Sequence, residues 1–264
     1  MVKKRLDLAL VERGLAESRQ KAQALIMAGE VYVNEQKQLK AGSPVEEGDA
    51  LEVRSKKPLR YVSRGGLKLE KAMALWPIDL KDRVCADIGA STGGFTDCML
   101  QNGARLVYAV DVGYNQLDWR LRTHPQVVCM ERTNARYLTR EQIPEPLDFF
   151  SVDVSFISLS LILPALRPLI REGGQAVCLV KPQFEAGKDK VGKKGVVRDP
   201  ATHLEVLERF LTHAAQAGFS VKDITFSPIK GPEGNIEYLG HLQAGAGPAW
   251  QGDLSALVAQ SHSA

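Results

Sequence analysis

The 264-residue chain has few of the residues that cross-link a fold or hold a metal. It contains four cysteines and five histidines. Cys85, Cys98, Cys129 and Cys178 form no C-x-x-C pair, and three of them fall in short apolar runs that read as strands. This pattern argues against a disulfide framework and predicts buried, reduced thiols of a cytoplasmic protein. The histidines are scattered without ligand spacing, so no metal is expected. Long hydrophobic runs are missing too. The longest charge-free apolar stretch, residues 154–166, is interrupted by Ser155, Ser158, Ser160 and Pro164. It falls short of the ~18 apolar residues that a span requires. No secretory signal and no membrane partner are expected, because MVKKRLD leads directly into a charged amphipathic helix. With 44% hydrophobic and 25% charged residues, the chain reads as globular, with about two domains.

Charge is present but unevenly placed. Residues 1–64 hold 13 Lys/Arg against 9 Asp/Glu, a net of +4, while the remainder carries a net of −1. A positive field on the N-terminal part suits a polyanionic partner. Charge alone leaves open a basic domain without one. Leu6, Leu10 and Val11 mark one apolar helical face, and Glu17-Ser18 offers a cap before a second helix that Gly29 ends. EVYVN then alternates as a strand, with turn signals before ALEV. The pattern over residues 3–54 resembles the S4 RNA-binding domain, a small α+β module. The resemblance implies that Lys3, Lys4, Arg5, Arg19, Lys21 and Lys40 face the phosphates of structured RNA. Such contacts position a protein without reading sequence.

After a polar, proline-containing linker, strand and helix signals alternate. VCADI, RLVYAVD, VVCM, LDFFSV and QAVCLV read as strands, with helices from Gly93, near Gln116 and from Ser158. A helix over about 201–216 and two more strands, FSVKDITF and NIEYLGHL, complete the series. The alternation predicts a doubly wound, mainly parallel sheet. The expected organisation is 1–60 for the basic domain, 61–64 for the linker, 65–244 for the sheet domain and 245–264 for a tail with one weak helix.

The first strand opens into a loop holding Asp87, Gly89, Ser91, Gly93, Gly94 and Phe95. Glycines there allow a ligand close to the backbone at a helix N-terminus. Ser91 stands where a dinucleotide fingerprint needs its second glycine, so the loop suits a ligand without pyrophosphate. Asp111 ends the next strand, where an acid can hold ribose hydroxyls in either NAD or S-adenosylmethionine sites. A plain strand–helix turn is the alternative. Four further charges stand out: Lys68, Asp153, Lys181 and Glu237. Asp153 and Lys181 each close an apolar run, and Glu237 lies in a partly alternating one. Lys68 lies on an amphipathic stretch with Leu67, Ala74 and Leu75 at helical spacing. Residues at the carboxyl ends of strands in such a sheet converge on one crevice. A Lys–Asp–Lys–Glu cluster there suits proton abstraction from a poor acid, although each residue alone is more often a solvated charge.

The motifs DIGASTGGFTD, DVGYNQLDWRLR, ERTNAR, DVSFISL, VKPQFE and GPEGNIEY together resemble the TlyA (hemolysin A) family. That family joins an S4 domain to an FtsJ-type, Rossmann-like methyltransferase domain. The resemblance spans residues 3 to about 243. It implies a ribosomal RNA 2′-O-methyltransferase that uses S-adenosyl-L-methionine, with a cytidine of 23S or 16S rRNA as acceptor. It places Lys68, Asp153, Lys181 and Glu237 on the catalytic tetrad. It places Gly89, Gly94, Phe95, Asp111, Asn134 and Phe156 on cofactor positions, with Asp87, Ser91, Gly93 and Asp153 in the same loops. Arg64, Lys188, Lys190, Lys193 and Lys194 would border the RNA. Lys181 would serve as base or as a cation stabilising the alkoxide. Other readings are a base-amine methyltransferase, a non-catalytic ribosome-assembly factor, a membrane-active hemolysin and an NAD-dependent oxidoreductase. The first lacks its two prolines after Asp153, and the second leaves the glycine loop and tetrad without a purpose. The third lacks a span, and the fourth lacks hydride-transfer residues.

Overall fold

A computed structural model of the chain describes residues 3–53, 60–231 and 233–263. Residues 54–59, in the polar, proline-containing stretch ahead of the sheet domain, lie outside the described residues. The chain divides into two compact units, Met1–Arg60 and Tyr61–Ala264.

In the first unit, β1 (Lys4–Arg5) pairs antiparallel with β4 (Pro44–Val45). β2 (Val31–Val33) sits between β3 (Gln36–Gln38) and β5 (Leu51–Val53), antiparallel to both. Asn34 and Glu35 both have left-handed φ, +47° and +67°, as a two-residue type I′ hairpin demands. Helix α1 (Leu6–Glu12) buries Leu6, Ala9 and Leu10, one face at i, i+3, i+4. They meet Ala22 and Ile26 of α2 (Arg19–Met27), with Val31 and Val45 closing the core. Ser18 caps α2 by accepting from Lys21 N at 3.2 Å. Fully buried Asp7 accepts from Arg5, Arg19 Nε and Gln23 Nε2, each at 3.0 Å. These bonds, Arg5 foremost, hold its carboxyl far below the usual carboxylate range.

The second unit is a seven-stranded sheet between helices. Its strands are β6 (Val84–Ile88), β7 (Leu106–Val110), β8 (Val127–Met130), β9 (Leu147–Val152), β10 (Ile170–Val180), β11 (Phe219–Phe226) and β12 (Tyr238–Ala244). They lie in the order β11-β12-β10-β9-β6-β7-β8, and only β12 runs against its neighbours. The order reverses direction between β6 and β9, which makes a crevice at their carboxyl ends. Helices α3 (Gly66–Leu75) and α4 (Gly94–Gln101) cover one face, where Leu69, Ala72, Phe95 and Met99 meet Cys85, Phe149, Val177 and Leu179. On the other face, α6 (Leu159–Leu166), α8 (Pro200–Gln216) and α9 (Leu254–Ser263) meet Ala86, Phe150, Val152 and Cys178. Covering on both faces is why the central strands are continuous apolar runs. Two short helices, α5 (Trp119–Arg122) and α7 (Pro182–Glu185), follow β7 and β10.

Four expectations change. Residues 61–64 belong to the second unit, not to a linker: Tyr61 is buried in its core, and Val62 N donates to Asp97 Oδ2 at 2.8 Å. The buried stripe of α3 is Gly66, Leu69 and Ala72 rather than Leu67, Ala74 and Leu75, and Leu75 is 56% exposed. Lys68 turns inward with that stripe because two carboxylates await it. The helix expected near Gln116 is α5 and begins only at Trp119, since Glu131 captures the N–H groups of Asn115, Gln116 and Leu117 at 2.9, 2.9 and 3.3 Å. The tail helix α9 is packed: Val258 is buried, and Ser261 Oγ lies 2.9 Å from Tyr238 OH.

Among the described residues, no helix is long and apolar enough to cross a membrane, and no group of side chains could hold a metal ion.

Candidate active site

Lys68, Asp153, Lys181 and Glu237 meet at the carboxyl edge of the sheet. Asp153 follows β9 and Lys181 follows β10, while Glu237 precedes β12. Because β12 is antiparallel, its start lies at the same edge as the ends of β9 and β10. Lys68 comes down from the first turn of α3. The four form one alternating chain of charge. Lys181 Nζ lies 2.6 Å from Asp153 Oδ1, Lys68 Nζ 3.4 Å from Asp153 Oδ2, and Lys68 Nζ 2.7 Å from Glu237 Oε2. Side-chain exposure is least at the Glu237 end, 2% there and 9% at Lys68, greatest at Asp153 with 20%, and 10% at Lys181. Glu237 and Lys68 are the inner, anchoring end, whereas Asp153 and Lys181 reach the crevice. Ser155 Oγ accepts from Lys181 Nζ at 3.1 Å. With Asp153 and Ser155 taking two of the three ammonium N–H directions, one remains for an oxygen of a bound acceptor.

Beside this chain lies the glycine loop. Gly89 has φ +85°, and a Cβ built on it would run into the Asp153 backbone carbonyl. Only glycine lets β6 and β9 leave the sheet this close together. Gly94 serves helix packing, because a Cβ there would press on Ser63 Oγ and sit 2.8 Å from Gly66 N. Gly93, with φ +95°, faces the Leu117 and Leu121 side chains. Ser91 is left-handed at φ +48° and donates its N–H to Asp111 Oδ2 at 2.8 Å. Asp111 Oδ1 accepts from Gly113 N at 2.7 Å. Each oxygen of Asp111 keeps lone-pair capacity for a hydroxyl. Thr133 N donates to Asp111 O at 2.9 Å, which sets exposed Asn134 next to it.

Two residues expected at the cofactor have buried side chains. Phe95 is buried in the core under α3. Asp87 is buried and accepts from Thr96 N at 2.9 Å, Thr96 Oγ1 at 2.8 Å and Ser151 Oγ at 3.0 Å. Burial pushes its carboxyl up to about 6, against the pull of those bonds. Asp87 takes an N–H of the first turn of α4, the kind of group that would otherwise cradle a phosphate. Asp153 is shared between two lysines, so Asp111 is the acid left to accept from a ligand, which suits ribose hydroxyls rather than a pyrophosphate.

Phe156 has φ +64° and is 90% exposed, with its ring 4.9 Å from that of Phe184. Of the residues expected to face RNA, Arg64, Lys188, Lys193 and Lys194 are exposed, and Lys190 pairs with Glu205. In the first unit Lys21 and Lys40 are exposed, Lys3 lies 3.8 Å from Glu46, and Lys4 lies 2.7 Å from Glu12. Arg5 and Arg19 are tied to Asp7 while staying about half exposed. Sequence reasoning missed Ser155 and Glu131. Burial works to raise the Glu131 carboxyl, but Arg122 and three backbone N–H groups outweigh it and hold it at about 2. Glu131 thereby fixes the loop that runs from Asp111 to α5. Its signal in the sequence was position alone, one residue past a strand.

Comparison with known proteins gives the family of the chain. The FtsJ-like methyltransferase family matches residues 61–244, and the S4 domain matches residues 4–51. The chain is 57% identical over 241 residues to the Bacillus subtilis protein YqxC, covering 91% of this chain and 85% of that one. It is 45% identical over 234 residues to the 16S/23S rRNA (cytidine-2′-O)-methyltransferase TlyA of Mycobacterium tuberculosis, covering 89% and 87%. A solved structure from Streptococcus thermophilus, bearing a provisional hemolysin name, is 49% identical with a TM-score of 0.77, over 100% of this chain and 97% of that one. A buried Lys–Asp–Lys–Glu chain beside a glycine loop, on a sheet of this order, thus sits in a chain that belongs to the TlyA family of S4-domain, FtsJ-like methyltransferases.

Proposed function

We propose that the protein transfers a methyl group from S-adenosyl-L-methionine to a ribose 2′-hydroxyl of ribosomal RNA, with a cytidine as acceptor. The observation that carries this reading is the Lys181–Asp153–Lys68–Glu237 chain ending in the crevice. The S4 domain and the relative named as an rRNA (cytidine-2′-O)-methyltransferase support the choice of acceptor.

The cofactor supplies an electrophilic methyl on a sulfonium. Asp111 and Asn134 would hold its ribose hydroxyls, and Gly89 and Asp153 would line the same crevice beside it. A ribose hydroxyl is a poor acid, so transfer requires a group that handles its proton and the charge that develops on oxygen. Lys181 is that group, aimed by Asp153 and Ser155. Lys68 and Glu237 keep Asp153 from turning away. Holding oxygen and methyl in line lowers the barrier by several kcal/mol, within the ~7–11 kcal/mol available from orientation. Exposed Phe156 offers a ring face to a planar group at the mouth.

The test is methylation of ribosomal subunits and isolated rRNA by the purified protein, with the product nucleoside identified. Methyl on a ribose 2′-oxygen is expected. Lys181→Ala is expected to lose roughly 10²–10³-fold in rate, the range for removing one charge-stabilising donor, while still binding cofactor. Methyl found on a base would replace this reading with the amine-methylating one. Cofactor binding without turnover on any rRNA substrate would leave a non-catalytic RNA-binding protein.

A further inference from the structure

The turn over residues 153–158 carries exposed Phe156 in a left-handed conformation. Residues with a Cβ avoid that region, and they persist in it only where the surroundings dictate it. At the start of the turn, Asp153 N donates to Ile88 O at 2.8 Å, and Lys181 Nζ holds Asp153 and Ser155. At its end, Ser158 Oγ donates to Glu185 Oε2 at 2.6 Å and Leu159 N donates to Glu185 Oε1 at 2.8 Å. Leu159 begins α6, so its N–H is one that no helical carbonyl can satisfy. Lys181 and Glu185 are four residues apart, one helical turn, and grip the same turn at its two ends. The Phe184 ring lies between them in sequence and touches Phe156.

We propose that Glu185 is a positioning residue for the methyl transfer, clamping the end of this turn so that Phe156 presents its ring to the bound acceptor. The inference rests on the methyltransferase reading. Burial raises the Glu185 carboxyl above its ordinary range, opposed by the bonds from Ser158 and Leu159 and, from α8, by His213 and Arg209. A carboxylate is costly to keep in such a place. Its two bonds both go to the end of the Phe156 turn, which gives that cost a purpose that simple packing would not require.

The test is a double-mutant cycle between Glu185 and Phe156, read as single-turnover methylation rates of full-length protein on rRNA. Glu185→Ala is expected to slow transfer by roughly tenfold to hundredfold, the loss equivalent to a charge-assisted hydrogen bond. Glu185→Gln should recover to within about threefold of wild type, because its carbonyl oxygen still accepts from Leu159 N and its amide can donate to Ser158 Oγ. In a Phe156→Ala background, Glu185→Ala should cost less than about twofold, since the group it acts through is gone. A full independent loss in that background would overturn the proposal, as would a wild-type rate for Glu185→Ala. Should Glu185→Ala fail to fold, Ser158→Ala takes its place in the same cycle with the same expectations. A wild-type protein that transfers no methyl to rRNA would refute the underlying reading. Additive losses in an active enzyme would refute only the role of Glu185.

Discussion

Replacing Glu237 with Gln removes the carboxylate that Lys68 reaches at 2.7 Å and leaves its ammonium inside the protein with Asp153 at 3.4 Å. Stripping one partner from a buried ion pair costs about 3–5 kcal/mol, because the remaining charge stays desolvated. Asp153 compensates in part, so Glu237→Gln should fall near the lower end, about 3 kcal/mol. Lys68→Met should fall nearer the upper end, because Glu237 has no other cation among the described residues and its side chain is only 2% exposed. For a domain of this size each kcal/mol lowers the melting midpoint by roughly 2–4 °C. The single variants should therefore melt about 6–20 °C lower than wild type. The double variant, Lys68→Met with Glu237→Gln, buries no uncompensated charge and should regain most of that loss, to within about 1 kcal/mol. Its methyl transfer should stay as low as that of the worse single variant, since Asp153 has still lost its inner support. Thermal melts followed by circular dichroism, paired with turnover on rRNA, supply both axes. A double variant whose melting loss is the sum of the two singles would refute the claim that these residues are one coupled unit.

Gly89→Ala should lower turnover at least hundredfold, because its Cβ must displace the Asp153 carbonyl and a shift of about 1 Å at a reacting group costs that much; a near-normal rate would show that Asp153 is not held by this contact. Asp87 gives a pH signature of known sign. Its folded pKa of about 6 lies above the unfolded carboxylate value, so its contribution is fully present below about pH 4 and is lost as pH rises through 6. Asp87→Asn, which can keep its partners, should abolish that segment of the stability–pH curve, and an unchanged curve between pH 4 and 6 would contradict the assignment. In the first unit, Arg19→Glu should weaken RNA binding and flatten its salt dependence by a slope of roughly 0.7–0.9 per lost phosphate contact; equal affinity and slope would remove Arg19 from the RNA surface.

The parts of this architecture that announce themselves in the sequence are those set by neighbours along the chain. Asp153 and Lys181 stand out because each is the first charge after an apolar strand, and Gly29 and Ser18 because helix ends have local requirements. The parts that do not are set by partners distant in sequence. Lys68 alone gave no reason to turn inward, and two stripes of α3 fit a helical period equally well. The choice between them was made by Glu237, 169 residues away. Glu185 reads as an ordinary charge at a helix end, and Tyr61 as part of a polar linker, until the turn and the glycine helix that cover them are in place. Asp87 and Phe95 read as members of a ligand loop, and only the fold shows that their side chains are buried beneath it. A motif reports which residues surround a ligand without separating those that touch it from those that hold up the ones that do.

The insertion of β12 between β10 and β11 bears on when this enzyme comes into existence. Every other member of the charge chain is made by residue 181, and the glycine loop far earlier, yet the inner carboxylate arrives only with the last strand. That strand has to enter between two neighbours, one of them already paired to the sheet on its far side, and contacts over such distances form late. A nascent chain thus holds a complete S4 domain while its second unit still lacks Glu237. On the function proposed above, the charge chain is complete only after that strand has been made and has paired, whereas the first unit closes its core within its own residues.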